Sequence, residues 1–486
     1  MRRILAGIET EYGLYVDGRG AEHQIDDAAE LLECYAGEAF AGWDYRFESP
    51  RKDIRGFSVN SLAEDPEDRQ FDVGRTRTHD RDMHRDRVLP SGARFYNDHG
   101  HPEFATPESW SLLDLALHDT LGQGVVLSAA LALQERKGKT VKVFKNNTDF
   151  HKASYGTHES YLVPRELGFQ RLFDAVTPML VARQIITGAG KVGCEHGATC
   201  AYQISQRADF FAEAANLETL YRRPVFNTRD EPHAEAGKWI RLHVISGDAN
   251  MMPDCTARRV GLVKLALALV EAGEPPLWRL ADPVRAFEDV SKDDRFEFRV
   301  ALAGGSWTTA YEILEGYFAA AEHTLDLDPD LEWVIRDSRE ALALLREDFQ
   351  SFSMRVDWGA KRRLLETVMA EEGCDWYTPG LRSYDLEYHN VDPEEGLYFA
   401  WEELGEVRHA PPPGISISHT RAFARGLAVS KFRDTLENVC WRRLTFKGPG
   451  MPLVEVDLGP DTPYPQELAD AQDVGSFIEA IRGVNK

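Results

Sequence analysis

Ile4-Leu5-Ala6-Gly7-Ile8-Glu9-Thr10-Glu11-Tyr12-Gly13-Leu14-Tyr15-Val16, closed by Asp17-Gly18, opens the chain and sets its architecture. Aliphatic and aromatic residues ending at a turn pair read as a strand. Alternate side chains of a strand share a face, so Glu9 and Glu11 project together. Two adjacent carboxylates repel unless something positive lies between them. An isolated E-x-E on a half-exposed strand can simply face water. Here the apolar neighbours Ile8 and Tyr12 favour partial burial, where a hard cation such as magnesium would neutralise the pair.

A second stretch, Arg94-Phe95-Tyr96-Asn97-Asp98-His99-Gly100-His101-Pro102-Glu103, crowds titratable groups behind an apolar strand end. With a strand over 93–98, Tyr96 and Asp98 share a face, and Pro102 is expected to turn the chain so that Glu103 rejoins them. Glu9, Glu11 and Glu103 then form a metal cluster with Asp98 beside it. That carboxylate can attack an amide carbonyl or act as base for a water. His99-x-His101 reads as a pair of turn histidines, and a zinc hydrolase would need a third ligand at recognisable spacing. From spacing alone, zinc and magnesium both stay open.

Outward from these stretches, Asp26 or Asp27 caps a short helix through Leu32 and Tyr35. From Trp43 to Pro90 the composition turns to Arg, Asp, His and Glu, which reads as a long mobile loop at about 47–90. A helix starts near Ser109 or Ser111, and 141–144 is a strand. Several strands follow between 202 and 245, with helical spacing over 260–271, 309–325 and 331–349. The sum is an α+β fold, a large antiparallel sheet with helices on one face. Pro411-Pro412-Pro413-Gly414 breaks the pattern and divides a domain at 1–410 from a small C-terminal α/β domain at 411–486. The latter shows helices at 422–432 and 474–481 and strands at 444–446 and 454–456.

Composition narrows the function. The chain has 486 residues, 43% of them apolar, enough for a sizeable core and two or three domains. Eighty acidic against 56 basic residues, a net charge of −24, repel nucleic acid. No uninterrupted apolar run nears the ~18 residues of a spanning helix, so no membrane partner is expected. Glu9 cuts the first apolar run short of a secretory signal, which reads as a cytoplasmic protein. The six cysteines lie far apart and read as reduced thiols, and Cys194-x-His196 with Cys200 matches no common zinc spacing. Neither a P-loop nor a Rossmann glycine pattern is present. A nucleotide would therefore bind on a sheet lined by carboxylates and arginines. The polar blocks 145–149, 154–160, 205–207, 227–233 and 241–243 supply candidate contacts.

Taken together, these motifs resemble the paired enzymes of prokaryotic ubiquitin-like protein (Pup) modification, the depupylase/deamidase and the Pup ligase, within the carboxylate-amine ligases of glutamine-synthetase-like fold. The resemblance runs almost end to end through Gly7-Ile8-Glu9-Thr10-Glu11-Tyr12-Gly13, Asn146-Asn147-Thr148-Asp149, Ala153-Ser154-Tyr155-Gly156-Thr157-His158-Glu159, Asn227-Thr228-Arg229-Asp230-Glu231-Pro232-His233 and Arg241-Leu242-His243. Asp98-His99-Gly100-His101-Pro102-Glu103 is similar to the depupylase pattern Asp-His-Ala-His-Pro-Glu, one residue shorter than that of the ligase. The segment from Trp43 to Phe57 resembles a long loop that the ligase lacks.

The resemblance implies a depupylase/deamidase. Such an enzyme hydrolyses the isopeptide bond between the C-terminal glutamyl side chain of a Pup-like modifier and a substrate lysine, and can deamidate a C-terminal Gln. Carried over by position, it implies Asp98 as catalytic carboxylate, magnesium at Glu9, Glu11, Tyr96 and Glu103, and nucleotide or substrate contacts at His158, Arg207, Arg229 and His243. ATP, or ADP with phosphate, and Mg2+ are the implied cofactors; the modifier and its conjugates are the implied partners. The alternatives are a Pup–protein ligase that forms the same bond at the expense of ATP, and a modifier-binding protein without turnover.

Overall fold

The computed structural model describes residues 2–62, 85–150, 153–195, 200–413 and 419–484. Its first twelve strands are β1 (Ala6–Glu11), β2 (Gly13–Val16), β3 (Arg87–Val88), β4 (Arg94–Asp98), β5 (His101–Ala105), β6 (Val141–Phe144), β7 (Thr157–Pro164), β8 (Lys191–Val192), β9 (Tyr202–Gln203), β10 (Phe211–Asn216), β11 (Arg223–Asn227) and β12 (Trp239–Gly247). Six of them form one sheet in the order β12-β7-β1-β5-β4-β3, with every neighbouring pair antiparallel. The large antiparallel sheet expected from the sequence is thus present. The run expected as one strand over 4–16 is two. The chain breaks at Tyr12, and β2 leaves the main sheet to pair with β6. Gly13 permits this crossing, because a Cβ there would overlap the Tyr155 hydroxyl.

Helices α1 (Gln24–Cys34), α2 (Leu112–Lys137), α3 (Gly168–Thr187) and α4 (Pro253–Ala272) supply most of the packing around the sheet. Ser111 caps α2, accepting a hydrogen bond from the Asp114 N–H. The aspartates expected to cap α1 instead lie in its first turn, behind His23. Ile8, Tyr161, Leu242 and Val244 point from the back of the sheet into a core with Leu112, Met179, Leu180 and Val263. By length and composition α2 could cross a membrane, yet its inner side (Leu115, Val126, Leu133) is fully buried against the rest of the fold. Its Asp119 is buried too, bonded to Lys145 at 2.7 Å and to the Thr10 hydroxyl at 2.8 Å. The helix is a core element.

Three features correct the sequence reading. Residues 63–84 of the expected mobile loop lie outside the described residues, but both of its ends are docked. Asp53 is buried and ion-paired with Arg55 at 2.7 Å, the Ile54 N–H donates to the Thr228 carbonyl at 2.9 Å, and Asp86 pairs with Arg94 at 2.6 Å. Charges that composition assigns to solvent are here satisfied by partners. Second, Cys194 and Cys200 form a disulfide, with Cα atoms 5.9 Å apart. The β8–β9 ladder pairs Lys191 with Gln203 and Val192 with Tyr202, and continuing that register places Cys194 opposite Cys200. Third, the turn before Glu103 lies elsewhere than at Pro102, as the site geometry below shows.

Residues 419–484 build helices Arg421–Lys431 and Val474–Val484 around an antiparallel sheet of Leu436–Cys440, Arg443–Phe446 and Val454–Asp457. Leu444, Phe446, Phe477 and Ile481 form a core that also takes in Phe40, Trp43 and Val88 from the N-terminal part. Glu108 receives Arg421 at 2.6 Å and Arg425 at 2.5 Å. Burial opposes the charge on Glu108, but the two guanidiniums outweigh it and hold the carboxyl at about 2.

Candidate active site

Residues opposed across an antiparallel pair share a face. The register sets Glu9 opposite His158, Glu11 opposite Glu103, Glu103 opposite Tyr96, and Asp98 opposite His101. It also sets Ser160 opposite His243 and Leu162 opposite Arg241. With the two-residue alternation of each strand, one face therefore carries Arg241, His243, His158, Glu9, Glu11, His101, Glu103, Arg94, Tyr96 and Asp98. The core helices cover the other face.

Asp98 ends β4 at a two-residue turn, His99-Gly100, with φ of 48° and 92°. Positive φ at both central residues is the hairpin geometry that matches strand twist, and glycine takes it without strain. The Asn97 side chain accepts from the Gly100 N–H at 3.0 Å. The sequence reading placed the bend at Pro102. Pro102 instead lies within β5, its carbonyl accepting from the Tyr12 N–H at 2.9 Å. Its missing N–H falls where β1 has already ended.

The four expected metal ligands, Glu9, Glu11, Tyr96 and Glu103, share the face but fall into two groups. Ligand oxygens of Glu11, Asp98 and Glu103 lie within 4.8 Å of one another, so Asp98 belongs to the cluster rather than beside it. The Tyr96 hydroxyl donates to Glu103, and the Gly156 N–H donates to Glu11 at 2.6 Å. Glu9 forms the second group with His158 and His243, and Arg241 donates to it at 3.2 Å.

The electrostatics of the two groups differ. Burial, then the carboxylates of Asp98, Glu11 and Glu9, push Glu103 well above the usual carboxylate range. Burial, then Glu103, push Tyr96 well above its ordinary value, so its hydroxyl keeps its proton. Burial also opposes ionisation of Glu9, but Arg241 and hydrogen bonding to the two histidines prevail and hold it low. The first group has surplus negative charge, and the second is compensated. Three converging carboxylates form an all-oxygen donor set suited to a hard divalent cation.

Around the carboxylates lie the expected binding residues. Arg207 is fully buried; it donates to Ser154 Oγ at 2.5 Å and to the Tyr155 and Ile245 carbonyls at 3.0 and 3.2 Å. Burial, then Arg223, push it down to about 9. Arg229 donates to Thr219 Oγ1 at 2.8 Å, and burial lowers it as well. Among the described residues, the Nε atoms of Arg207, Arg229 and Arg241 are buried without a hydrogen-bond partner. Buried donors of this kind call for an acceptor from outside the chain. Past Glu9 the same face opens into a cavity of about 60 Å³ lined by Gly7, Ala105 and Ser160 and closed by His233, Arg421 and Trp441.

Sequence reasoning undervalued two groups. Arg241, named in the sequence only as part of the block 241–243, lies within β12 and reaches Glu9; its two-residue spacing from His243 is the available signal. Tyr155, known only from the motif, stacks on His101 with ring centroids 4.5 Å apart. That contact joins segments 54 residues apart and leaves no local signature.

Residues 3–445 match the family model described as Pup-ligase protein. The chain is 35% identical over 477 residues to a depupylase of Acidothermus cellulolyticus, covering 93% of this chain and 92% of the relative. It is 34% identical over 480 residues to a Pup deamidase/depupylase of Mycolicibacterium smegmatis, covering 94% of each. A Pup–protein ligase of Kocuria rhizophila is 37% identical over 391 residues, 74% of this chain and 83% of the relative. Among solved structures, the ligase PafA in complex with Pup superposes with a TM-score of 0.75 at 26% identity, covering 99% of this chain and 92% of that one. PafA in complex with ADP gives 0.69 at 28% identity, covering 82% and 90%. With its sheet, its carboxylate face and these relatives in agreement, this chain belongs to the Pup-ligase protein family.

Proposed function

We propose that the chain is a depupylase/deamidase. It hydrolyses the isopeptide bond between the C-terminal glutamyl side chain of a Pup-like modifier and a substrate lysine, and releases ammonia when that residue is Gln. The observation that carries this reading is the convergence of Glu11, Asp98 and Glu103, with Asp98 at the tip of a tight turn and its side chain 38% exposed. The choice of hydrolysis over ligation is supported by the relatives: those named for depupylation align over 93–94% of this chain, against 74% for the Kocuria ligase.

Asp98 supplies the carboxylate that attacks the γ-carbonyl or takes a proton from the attacking water. Either way the C–N bond breaks and the lysine amine leaves with a proton; after direct attack a water then cleaves the Asp98–glutamyl anhydride, and in both routes the water oxygen ends on the glutamyl carboxylate. Glu11 and Glu103, with Tyr96 bonded to Glu103 and Glu9 on the same face, would hold magnesium beside Asp98, and the ion would supply positive charge to neutralise the converging carboxylates. Arg207, Arg229, His158 and His243 bind the phosphates of ATP, or of ADP with phosphate, and the substrate carboxylate. In this reading residues 1–410 form the catalytic domain, 411–486 a small C-terminal domain, and the protein works in the bacterial cytoplasm on the modifier and its conjugates.

The test incubates purified protein, Mg2+ and ATP with a Pup–lysine conjugate and, separately, with free Pup and a target protein. Release of intact Pup from the conjugate is the expected result. New conjugate in the second arm without cleavage in the first assigns ligation, and neither reaction assigns a binding role.

A further inference from the structure

The hairpin that carries Asp98 is clamped from two sides, and neither side is part of the carboxylate cluster. From one side comes the start of α1. A Cβ on Gly100 would lie 3.2 Å from Ile25 Cγ1 and 3.4 Å from Gln24 Cγ, so the helix rests directly on the turn. The side-chain amide nitrogen of Gln24 lies 2.8 Å from His101 Nε2. An amide N–H only donates, so Nε2 accepts and the ring proton sits on Nδ1. From the other side Tyr155 stacks on the same ring, 4.5 Å between centroids at an interplanar angle of 28°. Tyr155 is itself fixed, its hydroxyl donating to Asn146 Oδ1. His101 is the residue directly opposite Asp98 in the β4–β5 register.

We propose that Gln24 is a positioning residue for Asp98. By donating to His101 Nε2 it locks the imidazole in one tautomer and one orientation against Tyr155, and the locked ring sets the hairpin that carries the catalytic carboxylate. Displacing a reacting group by about 1 Å costs on the order of 10²-fold in rate, so a single contact on the turn can govern turnover without touching substrate. His101 is thereby a wall of the site.

The inference rests on Asp98 as the catalytic carboxylate. The experiment compares wild type, Gln24→Met, which keeps length and loses the hydrogen bond, and Gln24→Glu, whose carboxylate accepts from a ring N–H and so holds the ring through the other tautomer. Isopeptide-cleavage kinetics and the 15N shifts of the His101 ring are measured, with the thermal midpoint as a control on folding. The expected result is a kcat about 10-fold lower for Gln24→Met with KM for the conjugate within about 2-fold, mixed tautomers at His101, and recovery of most of kcat in Gln24→Glu. Unchanged kcat, or an unshifted His101 tautomer in Gln24→Met, overturns the inference. Full activity in Asp98→Asn would instead overturn the functional reading beneath it, so the two failures are told apart.

Discussion

The two faces of the central sheet bury carboxylates in opposite ways. On the back, Glu159 meets Arg183 at 2.8 Å and Arg259 at 2.7 Å, and the Tyr161 hydroxyl also donates to it. Burial opposes its charge, but the two arginines prevail and hold it below the usual range. On the front, one residue further along the same strand in either direction, the face turns to His158 and Ser160, and Glu11, Asp98 and Glu103 converge with one another. A chain that can place two arginines on one buried glutamate could have done so on both faces. The back pairs its carboxylate with arginines of the chain; the front sets three carboxylates against one another.

The largest test of this contrast is chemical. Asp98→Asn removes the charge with little change of volume, and cleavage is expected to fall by about 10²–10⁴-fold while nucleotide binding by calorimetry stays within about 2-fold. The opposite outcome belongs to the back face. Glu159→Gln leaves Arg183 and Arg259 without a counter-charge and is expected to cost about 3–5 kcal/mol of stability in denaturant unfolding, with little change in turnover per folded molecule. A variant as stable as wild type would show that the buried triad contributes nothing.

How far the faces could be read beforehand follows from their physics. Two-residue alternation put Glu9 with Glu11 and Tyr96 with Asp98 on common faces, and the registers agree. The same rule could not say that Asp98 joins Glu11 and Glu103, because that depends on a two-residue turn at His99-Gly100, and Pro102 drew the bend to itself. The docked ends of the polar segment at 47–90 were hidden because Asp53 and Asp86 find their partners in tertiary contacts. The Cys194–Cys200 pairing depended on the register of a two-residue ladder. Gln24 had no signal, since its partner His101 is 77 residues away.

A pH experiment sharpens the comparison at the junction with the C-terminal part. Glu108 resembles the back face: its carboxyl, ordinarily near 4.5, is held at about 2 in the fold. A lowered folded value means stability that is fully present above about 4.5 and lost as pH falls toward 2. Glu108→Gln is therefore expected to be destabilised by about 3 kcal/mol at pH 7, with the gap from wild type closing between pH 4.5 and 2. A gap independent of pH would mean that packing, not charge, holds the junction. A smaller effect is expected at Glu103→Gln. Without divalent cation it relieves repulsion on the front face and stabilises the fold by about 1 kcal/mol, read as a raised thermal midpoint.

In the proposed function a hard cation completes the front face. This is tested most directly by titrating Mg2+ into wild type and Glu103→Gln at fixed ATP while following the thermal midpoint. A rise with Mg2+ that reverses the initial advantage of Glu103→Gln is expected in wild type, and a much weaker response in the variant. Equal Mg2+ responses in the two proteins, or none in either, would contradict it.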